Sequence, residues 1–195
     1  MTSKSVGSFS VRRRSNRAVR RERGATIVEA AIVLPLLFLV LFALVEFGMA
    51  FKNTLSIGHG AREAARAGAT FGNDAHANIL VLREIAEVLN PVGIADGLRV
   101  WIYDPEPGGL SDDYVFQDGY ASGCDWFPCP DPDNSLYAAP TWLPSTRDVA
   151  VPDTDLLGVR ITFTHRWITR LFATTSDFSK EVEFRIEPQV FEVES

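Results

Sequence analysis

The feature that most constrains this chain is an apolar stretch near its N-terminus. Sixteen uncharged residues, most of them Leu, Val, Ile, Phe or Ala, lie between Glu29 and Glu46. The wider segment 25–51 would form a helix of about 40 Å, whereas the hydrocarbon core of a bilayer measures about 30 Å. Sixteen residues alone are short for a span, so one or both glutamates must lie near a membrane face or be otherwise compensated. We predict a transmembrane helix; a cleaved secretory signal and a buried helix of a soluble domain are the alternatives.

The charge of the chain divides at this stretch. Residues 1–23 contain eight basic residues and one acidic residue, a net charge of +7, whereas residues 24–195 carry 11 basic and 24 acidic residues, a net charge of −13. Basic residues beside a membrane helix remain on the cytoplasmic side. An arginine-rich arm also suits nucleic acid, but an apolar span follows this arm at once, so we predict no nucleic-acid partner. The predicted parts are a basic cytoplasmic leader (1–24), the transmembrane helix (25–51) and an extracytoplasmic domain (52–195).

The extracytoplasmic part has the patterns of an α+β domain. The first helix continues beyond the membrane, where Gly60, Ala64 and Gly68 are spaced four apart and form a face that another element can approach closely. A second helix begins after a cap at Asn73-Asp74 and ends at Asn90-Pro91. Alternating apolar residues predict strands that form a small antiparallel sheet against the helical part. These strands cover about residues 98–103, 157–168 and 180–187.

Residues 104–152 differ in character, because prolines, glycines and aspartates recur throughout them. We predict a long irregular insertion here. Its two cysteines, Cys124 and Cys129, are too few for a four-cysteine zinc site, so an oxidising exterior favours a disulfide over two free thiols. Residues 131–135 resemble half of a calcium loop but lack its glycine and distal glutamate. We expect them to be solvated surface and predict no metal site.

Motifs of catalysis are absent from the sequence. It contains no phosphate loop, no dinucleotide fingerprint, no zinc-protease motif and no nucleophile elbow. The three histidines, His59, His76 and His165, stand alone in sequence. We therefore predict a protein that is not an enzyme and that has no cofactor.

Three short motifs in the N-terminal part carry a family resemblance. They are found at residues 23–35, at 45–51 with Glu46-Phe47-Gly48, and at 61–66. In this order and spacing they resemble the N-terminal signature of TadE-like pseudopilins of the tight-adherence (Flp) pilus system, over about residues 21–70. Related TadG-like proteins usually have an aspartate at the position of Glu46, so this form favours TadE.

The resemblance implies a structural role, as a minor pseudopilin or a membrane-anchored assembly component of the pilus, with a pilin-like fold. It implies a single-pass protein of the cytoplasmic (inner) membrane, or of the cell surface or pilus. The implied partners are a prepilin peptidase, the assembly platform, other pseudopilins or the major pilin, and the lipid bilayer. It also implies cleavage after Gly24, which makes Ala25 the new N-terminus and Glu29 the fifth mature residue. The new α-amine would then pair with the Glu29 carboxylate, which is costly to place in lipid when unpaired; the alternative is that Glu29 lies at the membrane surface next to Arg23.

Two other functions remain as alternatives. The first is a membrane-anchored extracytoplasmic binding protein unrelated to pili. The second, an exported enzyme that uses the loop 104–152, lacks paired catalytic residues. A neighbouring secretion ATPase, platform proteins and prepilin peptidase in the genome would favour the pilus.

Overall fold

The computed structural model describes residues 17–89, 97–170 and 173–188, except for the side chains of residues 17–25 and Ala121. Its elements are helices α1 (Arg17–Phe71) and α2 (Ala77–Leu89) and strands β1 (Arg99–Tyr103), β2 (Ser111–Ala121), β3 (Cys124–Phe127), β4 (Leu156–Arg166) and β5 (Thr175–Arg185). The chain divides into two compact units at Val45 and Glu46. The fold class is α+β, as predicted from the sequence.

The first unit, as far as it is described, is the N-terminal part of α1. Every large apolar side chain at residues 27–45 is exposed, which a buried helix of a soluble domain would not allow. By length and composition this is a helix that can cross a membrane, and none of its most apolar segment of 18 residues is buried. Pro35 lies within the helix without ending it. The helix begins at Arg17 and not at Ala25, so the last part of the predicted leader is helical; residues 1–16 lie outside the described residues.

The second unit contains a five-stranded sheet with the order β3-β2-β1-β4-β5, and all neighbouring strands are antiparallel. The predicted strands at 98–103 and 157–168 are confirmed as β1 and β4, and the third is found as the longer strand β5. The prediction of an irregular insertion is wrong for residues 111–127, which form β2 and β3. The predicted end of α2 at Asn90-Pro91 lies outside the described residues.

A single apolar cluster joins the second half of α1, helix α2 and one face of the sheet. On β4 the alternation predicted from sequence holds, with Val159, Ile161 and Phe163 all buried. The opposite face of the sheet is polar: Arg99 pairs with Asp113 across β1 and β2, and an arginine of β4 pairs with a glutamate of β5. The sheet therefore has one apolar and one solvated face, as is common in antiparallel sheets.

Candidate functional site

The small-residue face of α1 lies in the core of the second unit. Gly60, Ala64 and Gly68 are all buried, and Ala64 has no exposed surface. A β-carbon built on Gly60 would lie 3.6 Å from Val88 of α2. At Gly68 the space is tighter, because a β-carbon would lie 2.8 Å from side-chain atoms of both Val81 and Leu157. The glycine thus lets α1, α2 and β4 meet at one point.

Glu46 is the first residue of the second unit, and its carboxylate is held by the loop between β4 and β5. The side chain is 2 % exposed. One carboxylate oxygen accepts the backbone N–H of Thr169 at 2.8 Å, and the other accepts the Thr169 hydroxyl. Next to it, the rings of Phe47 and Trp167 meet edge to face with their centroids 5.3 Å apart. The sequence analysis required a glutamate at the end of the apolar stretch to lie near a membrane face or to be compensated. The hydrogen bonds from Thr169 provide this compensation for Glu46.

The predicted processing residues lie in the first unit. Gly24 and Ala25 are inside α1, and their side-chain surroundings are not described. Glu29 is exposed on the same helix, four residues beyond Ala25. The helical spacing places Ala25 and Glu29 one above the other on one face, so a charge at position 25 would lie within reach of the carboxylate.

A buried polar cluster, which the sequence analysis missed, connects α2 to the loop after β3. Arg147 is 3 % exposed, and it donates hydrogen bonds to the Asn78 side-chain oxygen and, at 3.5 Å, to the Gly72 carbonyl. Its guanidinium carbon lies 4.4 Å from the centroid of the Trp142 ring. Burial lowers the pKa of Arg147 to about 10, which still leaves it protonated at neutral pH. The Asn78 amide also donates to the Tyr114 hydroxyl at 3.0 Å.

Asp112 belongs to the segment predicted as an irregular insertion, but it lies on β2 and is 7 % exposed. Its carboxylate accepts the backbone N–H groups of Thr141 and Trp142 at 2.5 and 3.1 Å. An acidic residue at a buried strand position has no apolar signal, so hydrophobic alternation does not reveal it. Its role is to tie the loop after β3 to the sheet.

Of the three histidines that stand alone in sequence, His76 has two carboxylate partners in the structure. His76 lies between two carboxylates, with ring nitrogens 3.2 Å from Asp74 and 3.1 Å from Asp133. The hydrogen bond to Asp133 is the largest cause that raises the pKa of His76 above its ordinary value. Asp131 is buried and pairs with Arg83 at 3.2 Å, so it is not the solvated residue that we expected.

Ligand atoms of His76, Asp131 and Asp133 lie within 4.8 Å of one another, a spacing that also suits a metal ion. Each of these side chains has a partner within the protein, and the Arg83 charge on Asp131 opposes a cation there. The cluster acts as an ion-pair network that joins the start of α2 to the loop after β3.

Cys124 and Cys129 form a disulfide in the structure, with their α-carbons 6.2 Å apart. Both residues are buried in the apolar cluster, beside Trp126. The bridge closes a loop of five positions at the edge strand β3.

The family model "TadE-like protein" matches residues 24–66 of the chain. No curated protein and no solved structure matches it. The match lies wholly within α1 and runs from the exposed apolar stretch into the buried small-residue face. It includes Gly24, Glu29, Glu46 and Gly60, and it confirms the resemblance read from the sequence. The α2 helix and the sheet lie beyond the match.

Proposed function

We propose that this chain, which carries a TadE-like domain at residues 24–66, is a minor pseudopilin or a membrane-anchored assembly component of a tight-adherence pilus. One observation carries the proposal: the matched residues form a single helix. Its first part is apolar, exposed and long enough to cross a membrane, and its later part belongs to the folded core. A helix with these two parts suits a subunit that must be anchored in a membrane and also present a rigid domain. The proposed role is structural and not catalytic.

The proposal includes the orientation of the protein in the membrane. The +7 leader remains in the cytoplasm, α1 crosses the cytoplasmic membrane once, and the domain with a net charge of −13 lies outside. The proposed partners are a prepilin peptidase, the assembly platform, and other pseudopilins or the major pilin.

Processing tests the pseudopilin assignment. We propose that a prepilin peptidase cleaves between Gly24 and Ala25 and that the new α-amine pairs with Glu29. N-terminal sequencing of the protein from membranes of cells with an active prepilin peptidase should then begin at Ala25. Because glycine has no β-carbon, its backbone fits a tight site, so Gly24→Leu should leave the full-length form. The same substitution at Gly48, where the space around the β-carbon position is empty, serves as the matched control and should be processed normally.

The Glu29→Gln variant separates cleavage from assembly. It keeps the shape of the side chain but removes the charge that meets the new amine, so we expect normal cleavage and fewer surface pili. Pili are counted by electron microscopy in cells that produce only this variant. A mature protein that begins at Met1 or Thr2 would contradict the processing, and unchanged piliation in cells without the protein would favour the membrane-anchored binding protein unrelated to pili.

A further inference from the structure

The β4–β5 hairpin runs along α1 for about half of the helix. At its open end, the Glu187 N–H donates to the Ala69 carbonyl at 3.0 Å. Further along, the His165 ring lies 3.5 Å from the Asn53 amide. The hairpin then reaches Glu46, whose carboxylate accepts the Thr169 N–H. The tip of the hairpin, residues 166–170, therefore lies beside the first residues of the folded unit.

The hairpin tip is held in place by specific contacts. Trp167 is 8 % exposed, and its indole N–H donates to the Ser176 hydroxyl at 2.8 Å. The same ring packs on His165, with centroids 5.0 Å apart, and on Phe47. Together with the two bonds to Glu46, these contacts give the tip a defined conformation.

The tip presents an exposed apolar side chain between exposed cations. Ile168 is 71 % exposed, and Arg166 and Arg170 beside it are exposed as well. Residues 156–176 contain three arginines and no acidic residue, although residues 24–195 have a net charge of −13. An apolar side chain flanked by arginines suits the boundary between acyl chains and anionic headgroups, because the long arginine side chains can reach the headgroups.

In the sequence, the apolar stretch ends at Val45, directly before Glu46. Together with Glu29 and the three residues before it, the stretch makes residues 26–45, which are 20 in number and span about 30 Å as a helix, the thickness of the hydrocarbon core. Val45 is covalently linked to Glu46, to which Thr169 binds. We propose that the hairpin tip is a membrane contact, in which Ile168 enters the interface and Arg166 and Arg170 bind phosphates of anionic lipid headgroups. This inference rests on the membrane anchoring in the proposed function and is independent of the pilus assignment.

A fluorescent probe at the tip tests the proposal. The full chain with Ile168→Cys is labelled with an environment-sensitive fluorophore under non-reducing conditions, which keep the disulfide closed, and is reconstituted into anionic vesicles at a low protein-to-lipid ratio. The wild-type chain, whose two cysteines are both in the disulfide, measures the background labelling. The matched control is Val151→Cys, because Val151 is 73 % exposed and lies in the loop that precedes the open end of the hairpin.

We expect nitroxides on the lipid chains to quench the probe at residue 168 and iodide in the water not to reach it, with the opposite result at residue 151. Iodide quenching at both positions would overturn the proposal. Protection from iodide without quenching by the lipid nitroxides would also overturn it, because a second protein molecule would then cover the tip.

The arginines are tested in the same Ile168→Cys background. Arg166→Gln combined with Arg170→Gln should lower lipid quenching by about twofold or more in anionic vesicles. Lys180→Gln, which removes an exposed charge from the middle of β5, should leave it unchanged. Equal quenching in the double arginine variant and in the Lys180→Gln variant would refute the binding of headgroups.

Flotation of the vesicles tests the anchoring separately. A chain that does not float with the vesicles refutes the membrane anchor, whereas a floating chain whose tip is exposed to water refutes only this inference.

Discussion

At the scale of single residues, the buried polar groups show how a chain with so many charges still builds a core. Arg147 donates to Asn78, Asn78 donates to Tyr114, and Thr169 donates to Glu46 at the start of the folded unit, whereas the Nε atom of Arg147 has no hydrogen-bond partner among the described residues. Arg147 and Glu46 bond to neutral groups, and buried Asp131 pairs with the charged Arg83, because an isolated buried charge would be far too costly. The partner of each lies far away in sequence.

The Asn78–Arg147 pair leads to the first prediction for stability. Asn78→Ala removes the main acceptor of a buried guanidinium and should lower the free energy of unfolding by about 3 kcal/mol. Asn78→Leu together with Arg147→Met replaces the pair by apolar groups and should recover a large part of this loss. Denaturant titration of the full chain in detergent measures both. A double variant that is as unstable as the sum of its single variants would contradict the coupling.

His76 leads to a prediction on pH dependence. Its pKa is raised, mainly by the hydrogen bond to Asp133 and further by Asp74, so the folded state holds its proton more tightly than the unfolded state. This contribution to stability is complete below the unfolded pKa of about 6.5 and is lost as the pH rises through the folded pKa. His76→Gln should therefore destabilise the protein more at pH about 5.5 than at pH about 9.

Urea midpoints of the wild type and the variant at the two pH values measure this difference. The control is His59→Gln on the exposed side of α1, because this ring makes no ion pair with a carboxylate of the described residues. An equal loss of stability for His76→Gln at both pH values would show that the charge of the ring does not hold the loop.

At the scale of elements, α1 has two different surfaces along one continuous helix. Large exposed apolar residues are frequent in residues 27–45, whereas alanines and glycines are frequent in the later part, which α2 and the sheet cover. Small side chains bury little area themselves, but they allow the larger side chains of α2 and β4 to pack close to the helix axis.

Two glycines of α1 provide a matched test of this packing. Gly68→Ala forces a methyl group to within 2.8 Å of Val81 and Leu157 and should cost about 1–3 kcal/mol. Gly58→Ala has nothing within 4 Å and should stabilise the helix by about 0.5–1 kcal/mol. Denaturation followed by tryptophan fluorescence reports on this unit, because all four tryptophans follow residue 46. Stabilisation by both substitutions would disprove the close approach at Gly68.

The error in predicting residues 111–127 also belongs to this scale. Strand β2 places Asp112 and Tyr114 on the buried face and has a glycine at position 119, so its apolar alternation is weak. Its bounds are set by pairing with β1 and β3, two short neighbouring strands of five and four residues. Pairing across a sheet can make a strand from residues whose local pattern indicates a loop.

At the scale of the whole molecule, the charge asymmetry leads to a prediction of topology. In the proposed orientation the +7 leader lies inside, so protease added to intact spheroplasts should remove the domain beyond α1. If the domain survives until the cells are lysed, the proposed orientation is wrong.

Alkylation before and after reduction provides a second measurement: Cys124 and Cys129 should react only after reduction, since an oxidising exterior maintains the disulfide. Thiols that react in the untreated protein would contradict an exterior location.

The sequence by itself determined the membrane-compatible helix, its small-residue face, the family resemblance and the strands β1 and β4, because each of these depends on a local pattern of side chains. Only the tertiary structure decided that Thr169 covers Glu46, that His76 lies between Asp74 and Asp133, and that β2 and β3 complete the sheet. These contacts join residues up to 123 positions apart. Polar partners at such distances leave no periodic signal in the sequence, since their positions are set only when the apolar cluster brings the helices and the sheet together.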